Sequence, residues 1–437
     1  MRIGILLLTT FALAFGGGAR GETLLLKNAT VHTVSGEVLS PGDVLVENGK
    51  IREVGHLNGQ ADKVIDLAGQ HLYPGMIALN TALGLVEIAG VRATRDMDEV
   101  GEFDPDVESW VAVNPDSELL PVTRANGIAL FEPVPQGGMV AGQSGLVAMD
   151  GWTTEQMVFK KAAALHVYWP GMEINPVPRR ARRADAGGKS VEDQARERRA
   201  RIKKLEDFFD DAKAYAKARE AGKGKDAGDA ALNPAWEAML SYLKGSAPII
   251  VHANDARQIK SAVKWAATNH FKIIIAEGRD AWKVADLLAS NHVAVIYDQV
   301  HTLPPNDAES YETQFKAPDR LFRAGVKVAF SAGVGSEETA LVKNLPYCAA
   351  QAVAFGLPAE EALKGLTLYP AQMLGVENRV GSIEAGKDAT LFSCDGDILD
   401  IRAGVKHLWV AGREVSLENR HTRLYDKYRN RPKAKQD

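Results

Sequence analysis

The chain is 437 residues long with 46% hydrophobic and 25% charged residues, the composition of a globular protein with a substantial core. Its 52 basic and 56 acidic residues give a net charge of -4, so there is no overall basic field to hold nucleic acid. The same figures exclude collagen-like, coiled-coil and wholly disordered chains.

Met1-Arg2, the apolar run Ile3 to Phe15 and the small residues Gly16 to Ala19 have the make-up of a signal peptide over residues 1–20, which predicts export to the periplasm. A buried N-terminal strand is the alternative. The run is shorter than the roughly 20 residues that span a bilayer, and no later segment is long enough, so the mature chain should lack a transmembrane segment. Leu24-Leu25-Leu26, Ala29 to Val34, Asp43 to Glu47 and Lys50 to Val54 read as short strands, with Asn48-Gly49 as a type I′ hairpin turn. Ala389 to Ser393 and Leu408 to Val410 are strand-like at the other end. Together these segments predict a composite β-sandwich from residues 22–73 and 376–420, followed by a basic tail, 421–437.

Between them, residues 74–375 alternate strands with helices. Pro248 to Ala253, Lys272 to Ala276, Val293 to Tyr297 and Val326 to Ser331 are short Ile/Val-rich runs. Asp255 to Ala267 and Asp280 to Ala289 carry apolar residues at helical spacing. The alternation predicts parallel βα units closing into a (β/α)8 TIM barrel, with functional residues at the C-terminal strand ends. Two charged stretches interrupt the rhythm. Glu87 to Glu118 has ten acidic residues against Arg92 and Arg95, and is expected to cover the barrel mouth or to form a solvated loop. Arg179 to Lys204 has eleven basic and four acidic residues, within a helical insertion over about 176–232. That run could bind an anionic surface, but a solvated helix face is the simpler reading. Cys348 and Cys394 have no CxxC partner, and whether they pair is left open.

Three glycine motifs carry no chemistry. Gly187-Gly188-Lys189-Ser190 has Arg183 in place of the first phosphate-loop glycine, Gly142-Gln143-Ser144-Gly145 ends on Leu146 rather than completing a GxSxG elbow, and Gly333-Val334-Gly335 lacks the third glycine of a dinucleotide fingerprint. All three are read as loop glycines.

Several other stretches resemble the amidohydrolase superfamily, especially its imidazolonepropionase-like members. They are Val46 to Gly55 (VENGKIREVG) with Val64 to Gly84 (VIDLAGQHLYPGMIALNTALG), Ile249 to Asp255 (IIVHAND), the LP…A…T…PA..LG pattern of Leu357 to Gly375, and Gly381 to Leu391 (GSIEAGKDATL) with Trp409 to Val415 (WVAGREV). The resemblance implies a metal-bearing barrel that hydrolyses non-peptide C–N bonds. In that scheme one or two divalent metals, Zn²⁺ being suited to imidazole and carboxylate donors, activate a water. Strand one supplies an H-x-H pair, strands five and six one His each, and strand eight an Asp.

The ligand positions of this chain depart from that scheme. Asn80 and Ala82 replace the H-x-H pair, and His252 retains the fifth-strand position. Glu277 takes the sixth, and Ala332 or Gly333 stands where Asp is expected. No H-x-H occurs among the ten histidines. Three outcomes follow. His252 and Glu277 could keep one metal, Zn²⁺ for example, with Asn80, His166 or His301 assisting. They could form a metal-free acid/base pair, with Asp298 or Arg92 nearby. Or the barrel could be an inactive binding or partner subunit of the cell envelope. The run Asn80 to Arg95 is similar to an NTxLGLxEI segment of exported members, which points to Asn80, Glu87 and Arg92 as substrate-binding candidates. Trp152 and Trp169 are pocket-wall or core residues. The expected partner is a small molecule, and a homo-oligomer is left open.

Overall fold

A computed structural model describes residues 22–173, 190–221 and 232–432. The expected signal peptide, residues 179–189 of the basic run and the tract 222–231 lie outside them. Strands β1 (Thr23–His32), β2 (Val38–Glu47), β3 (Lys50–Gly55), β4 (Lys63–Asp66) and β5 (His71–Pro74) join β14 (Leu391–Cys394), β15 (Val405–Val410) and β16 (Arg413–Glu414) in one eight-stranded sheet built from both chain ends. The chain ends meet where β14 pairs antiparallel with β5, Leu391 opposite Pro74 and Cys394 opposite His71. Asn48 and Gly49 both have positive φ, 52° and 75°, the backbone a type I′ turn requires between β2 and β3.

The body is an eight-stranded barrel of β6 (Met76–Thr81), β7 (Ile128–Pro133), β8 (Val140–Ala148), β9 (Val158–Tyr168), β10 (Ile249–Ala253), β11 (Ile273–Glu277), β12 (Ala294–Tyr297) and β13 (Val328–Phe330), hydrogen-bonded in that order. The last and first strands approach each other, so the ring is nearly closed. The four strands expected over 248–331 are present. The helix expected over 255–267 spans Ala256–Asn269, begun by an Asp255 capping box with Gln258. The stretch expected as one helix over 280–289 is instead a 3-10 turn, Ala281–Val284, followed by a short helix, Ala285–Ser290.

The barrel departs from the expected all-parallel ring at β8, which runs antiparallel to both neighbours. Gly142 to Gly145, expected in a loop, lies inside this strand. Gly145 is required there because a Cβ would stand 2.9 Å from Trp110 of the 3-10 segment Ser109–Ala112 packed against it. The mouth-side half of β8 loses β7 as a partner and takes the acidic segment instead, Phe103 bridging Val140 and Glu108 bridging Gln143. The acidic segment is therefore stitched into the barrel wall by backbone hydrogen bonds.

The insertion helix Val191–Ala221 buries Leu205, Phe209 and Ala212, and Phe209 packs against Trp265 and Phe271. Burying Leu205 and Phe209 contributes about 1.5–3 kcal/mol each. Phe208 stacks on Phe103 at 4.4 Å, and Lys204 pairs with Glu102, so the basic helix and the acidic segment meet each other. Cys348 and Cys394 are both buried free thiols. No helix among the described residues is long and apolar enough to cross a membrane.

Candidate active site

Strand alternation determines what fills the barrel. With a period of two, Leu130, Leu146, Ala148, Ala164, Ile250, Ile274, Ala276, Ile296 and Ala329 share one interior cluster, closed below by Met373, Leu374 and Val376. Continuing the same parity toward the mouth gives Glu132 on β7, Ser144 on β8, His166 on β9, His252 on β10, Asp298 just past β12 and Ser331 just past β13. The apolar filling thus ends in a polar layer. Glu132, Ser144 and His166 are fully buried, and His252 is 2% exposed.

Asn80 and Glu277 have the opposite parity. Both take left-handed backbone, φ 55° and 70°, which non-glycine residues rarely adopt and which costs on the order of 1–2 kcal/mol each. At Glu277 this turn brings the carboxylate to His252, with Oε1 3.2 Å from His252 Nδ1. Glu277 Oε2 accepts from Asn254 Nδ2. His252 stacks on Tyr168 with ring centres 4.0 Å apart, and its Nε2 is 3.0 Å from His166 Nδ1. The other nitrogen of His166 lies 3.5 Å from Glu132 Oε1. Glu132 Oε1 accepts from Ser144 Oγ at 2.7 Å, and its Oε2 accepts from the Asn80 N–H at 3.1 Å. Burial opposes ionisation of Glu132, but these donors outweigh it and hold its carboxyl below the usual range. His166 is pushed down by burial, against the pull of Glu132, which favours the neutral imidazole.

These contacts bear on a metal centre. A bound ion needs donors aimed at one point. Here each imidazole turns its two nitrogens to two different neighbours, so Glu132, His166, His252 and Glu277 form a chain rather than a cage. Among the described residues no group of three or more His, Cys, Asp or Glu side chains is placed to hold a metal ion. Ala82, Ala332 and Gly333 offer no ligand atoms. The donor set does not fit the two-metal centre that the family resemblance implies. Both polar atoms of the buried Asn80 carboxamide lack a hydrogen-bond partner, as does His166 Nε2 in the same layer, so Asn80 is a polar group here with both its side-chain atoms open to a water or ligand.

Asp298 supplies a second rim carboxyl, beside Glu277. Its Oδ2 lies 3.7 Å from the point a Cβ on Gly333 would occupy, so a carboxylate from the end of β12 reaches beside the eighth-strand position that lacks one. Burial, then the charges of Glu277 and Glu338, push Asp298 up to about 7, with the Gln299 side chain opposing. For an acid raised in the folded state, the stabilisation is complete below the unfolded value of about 3.9 and is lost as pH rises through the folded value. Asp298→Asn is therefore expected to raise the melting temperature at pH 8 by roughly 2 °C or more and to leave it unchanged at pH 4. Equal shifts at the two pH values in differential scanning fluorimetry would refute this.

The other expected site residues lie apart from this layer. Glu87 accepts from Asn114 Nδ2 at 3.2 Å, and Arg92 is exposed in a 3-10 turn. Both lie in the part of the acidic segment where Val86 bridges Arg95, before the stretch that pairs with β8. His301 is exposed on the loop after β12, while His166 does join His252. Trp152 is 88% exposed, and Trp169 is buried against Trp265. A groove of about 530 Å³ is lined by Asp96, Asp98, Glu99, Asp106 and Glu108 beside Pro135, and its lining includes neither His252 nor Glu277. Glu132 was not among the sequence candidates. The signal for it was a lone acid at inward parity in the otherwise apolar run Ile128 to Pro133.

Comparison with known proteins gives a consistent picture. The model of the amidohydrolase family matches residues 153–415. An amidohydrolase of Hapsidospora irregularis is 21% identical over 399 residues, 85% of this chain and 39% of that protein. An imidazolonepropionase of Brucella suis is 30% identical over 166 residues, 37% of this chain and 39% of the relative. The chain thus spans about two-fifths of the length of these curated relatives. The crystal structure of an amidohydrolase from Thermotoga maritima MSB8 aligns with a TM-score of 0.76 at 25% identity, over 90% of this chain and 99% of that one. A prolidase solved with N-methylphosphonate-L-proline shares the fold, with a TM-score of 0.54 at 16% identity over 90% and 99% of the two chains.

Proposed function

The chain belongs to the amidohydrolase family, and from that premise we propose that it hydrolyses non-peptide C–N bonds of small molecules by side-chain acid/base chemistry at the barrel rim, with the sheet from both chain ends serving as the β-sandwich of such barrels. The observation that carries this reading is the His252–Glu277 contact of 3.2 Å at the C-terminal strand ends, with Asp298 as a second rim carboxyl. One group of the rim donates a proton to the departing nitrogen while another takes a proton from the attacking water, and Asp298, pushed up to about 7, is suited to either part. Asn80, with its unpaired carboxamide, is the candidate to bind the substrate's polar edge.

The experiment combines turnover with metal content. Protein purified without chelators is assayed on a panel of cyclic ureides, imides and N-acyl amides, and its zinc is measured by plasma mass spectrometry. The expected result is turnover that survives dialysis against dipicolinate, with far less than one zinc per chain. One zinc per chain, lost together with activity in His252→Ala, would overturn the metal-free reading. Binding without turnover across the panel would favour the inactive-subunit alternative.

A further inference from the structure

The basic tail expected from the sequence begins as a helix, Arg420–Arg429, started by an Asn419 capping box with Thr422. Over residues 420–431 five bases, Arg420, Arg423, Lys427, Arg429 and Arg431, stand against the single acid Asp426. No residue of this helix is buried. Its ten residues fall short of the roughly 12–15 that hold a helix together alone in water, so it lacks the packing that ordinarily stabilises so short an element.

At about 100° per residue, His421, Leu424, Tyr425 and Tyr428 form one stripe. Arg420 and Lys427 border that stripe on one side and Arg429 on the other. Arg423 and Asp426 fall on the opposite side, where Arg423 Nη2 donates to both oxygens of Glu118 at 2.9 Å. That ion pair sets the helix with its back to the body and its stripe outward, leaving Tyr425 and Tyr428 64% and 60% exposed. Lys427 and Arg429 lie over the Tyr428 and Tyr425 rings, 5.7 and 5.3 Å from their centres. Gly151 and Arg423 line one cleft of about 220 Å³, and next to Gly151, on the turn after β8, stands the exposed Trp152.

We propose that this face, the helix stripe with Trp152 beside it, docks on the surface of an anionic phospholipid bilayer. Aromatic rings with a polar tip and long basic side chains are the composition of a membrane interface. The rings settle at headgroup depth while the bases stay with the phosphates. The charges are complementary, since among the described residues Arg420, Lys427 and Arg431 meet no carboxylate that would neutralise them. Size argues against a second protein as the occupant. One side of a helix about 15 Å long and about 10 Å wide presents on the order of 200 Å², well below the roughly 800 Å² that each partner buries in a stable protein interface. A fluid headgroup layer has no fixed shape to match, and it receives a convex helix and a separate indole together. On that surface the helix gains the apolar contact that its own fold does not provide.

The test is co-sedimentation of the full chain with vesicles of phosphatidylcholine alone and of phosphatidylcholine containing roughly one-third phosphatidylglycerol. Each base near an anionic surface contributes about fivefold, so binding is expected to be at least about 100-fold tighter to the anionic vesicles and to weaken as salt is raised. The comparison with neutral vesicles also accounts for the apolar run Ile3 to Phe15, which does not distinguish headgroup charge. Arg420→Gln/Lys427→Gln/Arg429→Gln is expected to lose about 100-fold in affinity at an unchanged melting temperature. Tyr425→Ser/Tyr428→Ser is expected to lose roughly tenfold. Tryptophan emission is expected to shift to the blue on binding, and Trp152→Phe to abolish that shift. Equal binding to the two kinds of vesicle overturns the proposal, as does a triple variant that binds like wild type. Tighter binding to a duplex oligonucleotide than to the anionic vesicles would overturn it in favour of nucleic acid. A concentration-dependent dimer lost in the triple variant would overturn it in favour of a second copy of the chain.

Discussion

Glu277→Gln is expected to reduce turnover by roughly 10²–10⁴-fold with little change in KM or in melting temperature. The substitution is close to isosteric. Its amide oxygen accepts from Asn254, and its amide N–H donates to His252 Nδ1, so both hydrogen bonds of the native side chain persist. The property removed is the carboxyl group's capacity to take up and release a proton. A loss confined to kcat identifies a group that works in the transition state, whereas a rise in KM would identify one that only binds substrate. Steady-state kinetics on the best substrate of the panel decides the matter. A variant within tenfold of wild type would show that proton delivery comes from elsewhere, Asp298 being the nearest other carboxyl on the rim.

The second large effect is on stability. Glu132→Ala is expected to cost about 3–5 kcal/mol, because it leaves the Asn80 N–H and the Ser144 hydroxyl without their acceptor in a fully buried layer and removes the carboxylate that faces His166. Ser331 Oγ donates to the Asn80 carbonyl at 3.0 Å and accepts from the Gly333 N–H at 3.0 Å, so the disturbance reaches the eighth strand. Urea denaturation followed by circular dichroism measures this effect, and a cost below about 1 kcal/mol would mean that water replaces the carboxylate at no penalty. The pH dependence has the opposite sign to that of Asp298. Glu132 lies below its unfolded value, so its contribution is present above about pH 4 and is lost as pH falls through the folded value.

His252 and Glu277 were legible in the sequence because each follows an apolar run where a parallel strand should end. Their contact was not, since Glu277 has outward parity and reaches His252 only through left-handed backbone. Asn80 is hidden in the same way. His166 was noted as a residue that could converge on His252, but its place between two carboxylates depends on Glu132, two strands away on β7 and in no sequence motif. Asp298 was noted only as a neighbour, and its approach to Gly333 depends on how β12 and β13 lie side by side. The reversal of β8 was hidden by Gly142 and Gly145, which suggest a loop when read locally. In the folded chain those positions accommodate Val107 and Trp110 of the acidic segment. The reach of that segment was likewise illegible, because its charges suggest solvent and its backbone pairing leaves no mark in composition.

The inverted β8 has a consequence for approach to the rim. Because the acidic segment is an edge partner of that strand, its negative charge is anchored at a fixed height on the wall. An incoming anion meets a stationary repulsive field there, and a cation a stationary attractive one. The sign of the field at that wall is thus a fixed property of the strand pairing itself.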